Sequence, residues 1–365
     1  MLSFRALDSI FELEQVVDLE IAVWDLNPRD AVPASLLHAS VLNGGVVIGA
    51  FAGEQLVGMA YAFPAQRDNK RLLWSHMTGV HPDHRGMGIG FGLKQAQRRW
   101  ALERGYGLIS WTFDPLQRGN ANFNLRLLGA TANIYHVDFY GQMTDGINAG
   151  LPSDRLEVRW DLRSKRVKML AGISSPVSLV GDYPDEFFLL RTGAGNRPVS
   201  CELAVDLETR WRFVEIPFDL GQLKRLNPSA ALEWRLAVRQ VLQQAFAQGC
   251  VLVDFVTVDN RCWYVLQLPQ AWYLYVLVCS DDTLYTGVTP DLTRRVAQHN
   301  AGRGASYTAS RLPVRLVGAW QFPGRSQALA AEGRFKRQPR RMKLKYLSDN
   351  LPFLDAPFVN AFESS

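Results

Sequence analysis

The stretch Val80-His81-Pro82-Asp83-His84-Arg85-Gly86-Met87-Gly88-Ile89-Gly90 decides the fold, because it joins a predicted strand to a predicted helix. The helix, from Gly88 to Glu103, carries apolar side chains at helical spacing and ends before Gly105. Glycines in such a turn let backbone N–H groups approach an anion, and the helix N-terminus adds partial positive charge. We therefore expect a pyrophosphate ligand. The spacing excludes a Rossmann G-x-G-x-x-G loop, and the Gly-Lys-Ser/Thr of a Walker loop is absent.

Strands and helices alternate on both sides of this stretch. Asp8 is predicted to cap a first helix, whose apolar positions include Ile10 and Val17. Strands are expected at residues 44–51, 56–63, 72–80, 108–113 and 132–139, with a short helix at 120–128. This order predicts an α/β layer fold.

The pattern Arg85-x-x-Gly88-x-Gly90, after a strand ending Val80-x-Pro82, resembles the acyl-CoA loop of the GNAT acyltransferase superfamily. Residues 111–115 and 120–130 resemble the fifth strand of that fold and the helix after it. The likeness is closest to a bacterial subgroup of longer GNAT proteins, and it implies a mixed sheet with flanking helices. It also implies that the strand ending at Val80 pairs with the pantetheine of acetyl-CoA or another acyl-CoA. The pyrophosphate would lie on the loop backbone of Arg85, Gly86, Met87, Gly88, Ile89 and Gly90.

The acid and base of acyl transfer follow less directly from this resemblance. Many GNAT enzymes carry a tyrosine general acid where this chain has Leu125, which leaves Tyr135 and Tyr140 as nearby candidates. His76 on a strand and Asp114 at a strand end are candidates for the base that deprotonates an amine, since a histidine near neutral pKa suits that task. Asp114 precedes Pro115 and is also typical of a turn.

Residues 155–268 read as a further α+β unit without a chemical motif. Strands are predicted at 156–162, 213–216, 251–256 and 262–266, and Asn227-Pro228 is predicted to start a helix that runs to Gly249. Residues 163–176 are the predicted internal linker.

A second group of polar residues lies near the C-terminus. Residues 272–279 and 284–288 predict a hairpin, and Asp291 is predicted to open a helix on which Arg295 and His299 share one face. Glu332 is the single acid between Asp291 and residue 345. Tyrosine can activate water, arginine can stabilise a phosphate, and one carboxylate can hold a Mg²⁺ that keeps most of its waters. This set suits phosphodiester cleavage.

The same residues resemble a GIY-YIG nuclease domain, most closely its short stand-alone members. Tyr273-Leu274-Tyr275 stands at the first tripeptide of the GIY-YIG motif, and Tyr285-Thr286-Gly287 stands at the second. Residues 304–308 resemble the corresponding segment of the short stand-alone members. The resemblance covers residues 271–346 and implies catalytic roles for Tyr275, Tyr285, Arg295 and His299. It also implies a Mg²⁺ ligand at Glu332.

The charge of the chain is concentrated in this segment. The net charge of the whole chain is +5, whereas residues 271–345 alone contain thirteen Lys and Arg and only four acids. Such a basic module favours nucleic acid, and we expect DNA rather than RNA as its partner. The basic run from Arg334 to Lys345 could follow a phosphate backbone or form a solvated face.

Composition excludes several other classes. The four cysteines are far apart and predict reduced thiols rather than a zinc ribbon or a disulfide framework. No signal peptide and no apolar stretch of membrane-spanning length stands in the sequence, so we expect a cytoplasmic protein without membrane contact.

The sequence thus predicts an α/β and α+β multidomain fusion. Its parts are a GNAT-like domain (1–165), an appended α+β unit (166–268), a GIY-YIG-like domain (271–346) and an acidic tail (347–365). Three functions stay open at this stage. Both sites could be catalytic, with a small amine as acceptor. The C-terminal module could only bind nucleic acid. The body could be a CoA-binding sensor, since Leu125 replaces the tyrosine.

Overall fold

The computed structural model describes residues 2–67, 69–141, 150–172, 185–201 and 210–359. The chain forms two compact units, Met1–Gln267 and Leu268–Ser365.

Twelve described strands of the first unit form one mixed sheet. Along the sheet they run in the order β1-β2-β3-β4-β5-β7-β6-β11-β12-β10-β8-β9. Neighbours are antiparallel except for the parallel pairs β4–β5 and β8–β10. The strands are β1 Leu2–Leu7, β2 Val46–Ala52, β3 Gln55–Arg67, β4 Lys70–Val80, β5 Leu108–Phe113, β6 Thr131–His136, β7 Arg155–Asp161, β8 Phe188–Thr192, β9 Pro198–Ser200, β10 Trp211–Ile216, β11 Val251–Val258 and β12 Arg261–Gln267.

The helices of the first unit pack on this sheet. Because successive strand residues face opposite sides, Met59 faces the α1–α2 layer while Gly58 faces α3. At Gly58 a side chain would meet Ile89 and Leu93, so the glycine allows α3 to lie close to the sheet. The helices are α1 Ile10–Trp24, α2 Ala34–Leu42, α3 Ile89–Glu103, α4 Arg118–Ala121, α5 Lys165–Leu170, α6 Leu220–Leu226 and α7 Pro228–Ala247, and a π-helical turn follows α4 at Asn122–Leu127.

The predicted boundary near residue 165 does not separate two sheets. Strand β11 pairs with β6 at Leu252 and Ala132, so the segment after residue 185 extends the sheet of the first 165 residues. The Asp114–Arg235 ion pair, with nitrogen to oxygen distances of 2.7 and 2.8 Å, also joins the two segments.

Two local predictions are wrong. Ser9, not Asp8, caps α1, because its side chain accepts a hydrogen bond from the backbone of Glu12. Part of the predicted linker 163–176 is helical, since Ser164 caps α5 and Val167 and Leu170 are buried. Residues 173–176 lie outside the described residues.

The second unit is a four-stranded sheet between helices. Its strands are β13 Trp272–Val278, β14 Leu284–Thr289, β15 Arg315–Phe322 and β16 Phe358–Val359, in the order β14-β13-β15-β16. On β13, Leu274 and Val276 face the core shared with α10, while Tyr275 and Leu277 face α8. The helices are α8 Leu292–Asn300, α9 Ser306–Ala309, α10 Arg325–Lys336 and α11 Arg340–Ser348.

Across the described residues, no helix is long and apolar enough to span a membrane.

Candidate active sites

The first candidate site is a cleft between β4 and β5. These parallel strands pair only at Leu73–Ile109 and Trp74–Ser110, although β4 continues to Val80. The described β4 residues beyond Trp74 therefore have no strand partner on this side. Their N–H and C=O groups are open to an extended amide-containing ligand, as expected for pantetheine.

The glycine-rich loop lies at the end of β4. Gly86 and Gly88 have φ of +79° and +75°, and an added Cβ at either would meet no atom within 4 Å, so conformation rather than crowding favours glycine there. Gly88 precedes α3 and has no side chain to cap it, so the first N–H groups of α3 stay available to an anion. Arg85 is exposed and donates to the carbonyls of Val80 and Val23. Met87 is exposed, Ile89 is buried, and the first atoms near Gly90 belong to Phe123.

His76 lies in a β-bulge beside this cleft. Tyr61 pairs with Met77 and Ala62 pairs with Ser75, so His76 is the extra residue in the β3–β4 ladder. Its ring centroid lies 6.0 Å from those of Tyr61 and Phe63. Desolvation beside these rings lowers the pKa of His76 from its ordinary value of 6.5, although the residue is exposed, and the imidazole is therefore mostly neutral at pH 7.

The structure gives Asp114 a different role from that of a base. Its carboxylate receives two hydrogen bonds from the buried Arg235 and one from the backbone of Leu116. A carboxylate held this way stabilises the turn after β5 and the packing of α7. The Tyr135 hydroxyl is also engaged in a hydrogen bond, which it donates to Asp154 at 2.7 Å. Leu125 is fully buried in the π-helical turn.

A buried lysine not predicted from the sequence lies where β4 and β5 separate. Lys94 of α3 donates to Ser75 at 3.0 Å and to Gln97 at 2.7 Å, and its Nζ lies 3.8 Å from the ring centroid of Trp111. Burial lowers the pKa of Lys94 well below 10.5. Since Ser75 and Trp111 are the first residues beyond the last β4–β5 pair, Lys94 holds the two strands at the base of the cleft.

The second candidate site lies on the α8 face of β13 and β14. The Tyr275 hydroxyl lies 3.0 Å from His299 Nε2, and Arg295 Nε donates to the same hydroxyl at 3.1 Å. The Tyr285 ring lies 5.1 Å from that of His299. Asp291 caps α8 through the backbone of Arg294, which fixes the helix that carries Arg295 and His299. The structure therefore brings together the four residues that the sequence proposes as catalytic.

Burial sets the protonation states of this group. It raises the pKa of Tyr275 to about 12, against the lowering effect of Arg295. It lowers the pKa of His299 below 6.5, and the charge of Arg295 lowers it further. At neutral pH, Tyr275 thus keeps its proton and His299 is neutral.

Two glycines make room for these side chains. A Cβ on Gly287 would lie 2.6 Å from the Tyr275 hydroxyl, and a Cβ on Gly304 would lie 2.3 Å from His299 Nδ1. Both distances are shorter than any real Cβ contact, so a side chain at either position would displace Tyr275 or His299. The glycine of Tyr285-Thr286-Gly287 was visible in the sequence, but its proximity to Tyr275 was not.

Glu332 lies on α10 and does not join the hydrogen-bonded group directly. Its Oε1 accepts from Lys336 Nζ at 2.8 Å, and its charge contributes to the raised pKa of Tyr275. No cluster of three or more metal-ligating side chains occurs within the described ranges. A single carboxylate, 18% exposed, fits Mg²⁺, which keeps several waters and binds few protein ligands, and would not fit a structural zinc.

Two stretches of the chain match known protein families. Residues 271–345 match the GIY-YIG catalytic domain. A UPF0213 protein of Cupriavidus pinatubonensis is 46% identical over 81 residues, which are 22% of this chain and 90% of the relative. A UPF0213 protein of Streptococcus pneumoniae is 45% identical over 93 residues, which are 26% of this chain and 91% of the relative. The chain belongs to the GIY-YIG family.

Its first unit carries a second family domain, since residues 11–130 match the acetyltransferase (GNAT) family. The ribosomal-protein-S18-alanine N-acetyltransferase of Escherichia coli has 13% identity and a TM-score of 0.37, covering 44% of this chain and 94% of that one. An N-acetyltransferase of Staphylococcus aureus has 14% identity and a TM-score of 0.37, covering 45% of this chain and 99% of that one. The chain thus joins a segment that matches the GNAT acetyltransferase family to a segment that matches the GIY-YIG catalytic domain.

Proposed function

We propose that the GNAT domain transfers an acyl group, most simply acetyl, from CoA to a small amine. The observation that carries this proposal is the unpaired end of β4 leading into a glycine loop at an uncapped helix start. The loop would hold the pyrophosphate from Arg85 to Gly90, and β4 up to Val80 would bind the pantetheine amides.

His76 is the proposed base. The amine nitrogen attacks the thioester carbonyl as His76 takes its proton. The C–N bond forms, the C–S bond breaks, and the leaving thiolate takes a proton from solvent. The bulge at His76 also frees backbone groups that could face the carbonyl oxygen.

The pH dependence of acyl transfer tests the role of His76. Because its pKa lies below 6.5, the base is fully available at pH 7 to 8. Its contribution should fall about tenfold per unit once the pH drops below that pKa. The assay follows release of the CoA thiol with a panel of small amines. We expect kcat/KM of the wild type to exceed that of His76→Gln by a large factor at pH 7.5 and by a smaller factor at pH 5.5. A ratio that does not change with pH would exclude His76 as the base.

For the GIY-YIG domain, the hydrogen-bonded group Arg295–Tyr275–His299 supports Mg²⁺-dependent cleavage of DNA. The pKa of Tyr275 is raised to about 12, whereas that of His299 is lowered from its ordinary value. Prior ionisation of Tyr275 by His299 is therefore unfavourable. We infer that Tyr275 acts as a relay rather than as a preformed phenolate.

In this relay, the attacking water gives its proton to the Tyr275 oxygen while Tyr275 gives its own proton to His299 Nε2. The water oxygen forms a bond to phosphorus, the P–O bond to the leaving strand breaks, and the leaving oxygen takes a proton from solvent. Arg295 stabilises the negative charge that develops beside Tyr275. Mg²⁺, held by Glu332, would supply charge stabilisation at the phosphate.

The Glu332→Gln variant separates cleavage from binding. It removes the proposed metal ligand with little change in volume, so nicking of supercoiled plasmid should fall by at least about a hundredfold. Plasmid binding should remain, because it rests on the basic residues. Asp282→Asn, which changes an exposed carboxylate in the β13–β14 turn, is the matched control and should nick normally. Equal nicking by wild type and Glu332→Gln would contradict the assignment.

The basic composition of residues 271–345 favours one alternative, a module that binds nucleic acid without cleaving it. That alternative predicts salt-sensitive binding with no nicking by any variant.

We further propose the division 1–165, 166–268, 271–346 and 347–365 as functional segments. They are not separate folding units, because one sheet continues across residue 165 and β16 of the last segment pairs with β15. The cytoplasm is the proposed compartment, which agrees with four free cysteines.

A further inference from the structure

Thr308 is buried beside the proposed nuclease site, and it is not one of the residues that transfer a proton in the proposed relay. It lies on α9 with no exposed surface, and its Oγ1 lies 2.7 Å from His299 Nδ1. The same hydroxyl donates to the backbone carbonyl of Ala305 at 2.9 Å. Thr308 therefore contacts the one atom of His299 that faces away from Tyr275.

The contacts of Tyr275 indicate which tautomer of His299 is present. The buried Tyr275 hydroxyl has two polar partners among the described contacts, Arg295 Nε and His299 Nε2. A guanidinium can only donate, so the Tyr275 proton has a single acceptor, the lone pair of Nε2. A neutral imidazole carries one N–H, and with Nε2 unprotonated that hydrogen must be on Nδ1.

The contacts of Thr308 lead to the same assignment from the other end. Its single proton bonds to the Ala305 carbonyl, so towards Nδ1 it presents a lone pair. Nδ1–H then donates to Thr308 Oγ1, and the donors all point one way, from Arg295 through Tyr275 and His299 to Thr308 and Ala305. With the opposite tautomer, Nε2–H and Arg295 would both donate to Tyr275, whose own proton would have no described acceptor.

We propose that Thr308 is a positioning residue that holds the His299 proton on Nδ1 and so keeps Nε2 as the acceptor for Tyr275. This inference rests on the proposed cleavage function, because the acceptor matters only if the relay operates. Gly304 supports it sterically, since the missing Cβ allows the loop before α9 to approach His299 Nδ1. Thr308 is thus the orienting third member of a tyrosine–histidine–threonine group.

The tautomer can be measured on the full chain without nucleic acid or metal. Long-range ¹H–¹⁵N spectra of protein labelled at its six histidines, recorded at pH 7.5, distinguish Nδ1–H from Nε2–H, and a His299→Gln variant identifies the signal. We expect Nδ1–H in the wild type, a shift towards Nε2–H in Thr308→Val, and Nδ1–H retained in Thr308→Ser. Plasmid nicking should fall about a hundredfold in Thr308→Val and remain within about threefold in Thr308→Ser.

Each outcome decides the proposal. An Nε2–H signal in the wild type would overturn it, as would a Thr308→Val variant that keeps Nδ1–H. If Thr308→Val does not fold, Thr308→Ala removes the same hydroxyl and is judged by the same spectra and the same nicking assay. If the wild type shows Nδ1–H, loses it in Thr308→Val and yet cleaves no DNA, the cleavage proposal fails while the role of Thr308 in fixing the tautomer stands.

Discussion

Tyr275→Phe should lose at least about a hundredfold of the plasmid-nicking rate while the chain stays folded. The substitution removes one oxygen and keeps the ring, so packing against Tyr285 is retained. It breaks the path along which the proton of the attacking water reaches His299 Nε2. Positioned proton transfer of this kind contributes roughly 10²–10⁴-fold to the reaction rate. It also leaves Arg295 Nε and His299 Nε2 without their shared partner. The measurement is the initial rate of conversion of supercoiled to open-circular DNA in Mg²⁺.

Tyr273→Phe is the matched control for this prediction. Tyr273 lies on the same strand and the same face as Tyr275, two residues earlier, and its hydroxyl is not part of the relay. We expect Tyr273→Phe to nick within about twofold of the wild type. Equal loss in the two variants would mean that the tyrosines act through packing of the sheet, and the relay would then be wrong.

Gly88→Val should weaken binding of acetyl-CoA by about ten- to a hundredfold. Gly88 has φ of +75°, a conformation in which a β-branched residue costs of order 1–3 kcal/mol. Relief of that strain would move the N–H groups that start α3 away from the pyrophosphate position. Each 1.4 kcal/mol of lost interaction is about a factor of ten in affinity. Calorimetric titration of the full chain with acetyl-CoA measures the change directly.

Gly105→Val controls for strain alone. Gly105 follows the other end of α3, has φ of +81° and, like Gly88, has open space around it. We expect this variant to lower the midpoint of thermal unfolding by a similar amount and to bind acetyl-CoA like the wild type. If both variants bind equally weakly, strain in α3 rather than the loop determines the affinity.

Local patterns predicted most elements that position the two sites. The helix predicted after Gly88 and the strands around it occur close to their expected bounds, because the periodicity of buried residues was regular. In the GIY-YIG domain, Asp291 caps α8 as its position implied, and that places Arg295 and His299 one turn apart on the face towards Tyr275.

Other features could not be predicted because they depend on contacts between distant residues. Asp114 looked like a candidate base in the sequence, but its partner Arg235 lies 121 residues away. Nothing in the sequence singles out Lys94, and only the packing of α3 against Ser75 and Trp111 shows that it is buried. The role of Thr308 needs the loop before α9 to fold against His299, which the missing side chain at Gly304 allows.

The most direct test of the central claim is nicking of supercoiled plasmid by the wild-type full chain, with Mg²⁺ and with Mg²⁺ chelated. The account predicts open-circular product that accumulates with time in Mg²⁺, stops on chelation and is absent with Glu332→Gln. Plasmid that stays supercoiled at every Mg²⁺ concentration, from protein that binds the same DNA and is fully folded, would contradict it and would favour a module that only binds nucleic acid.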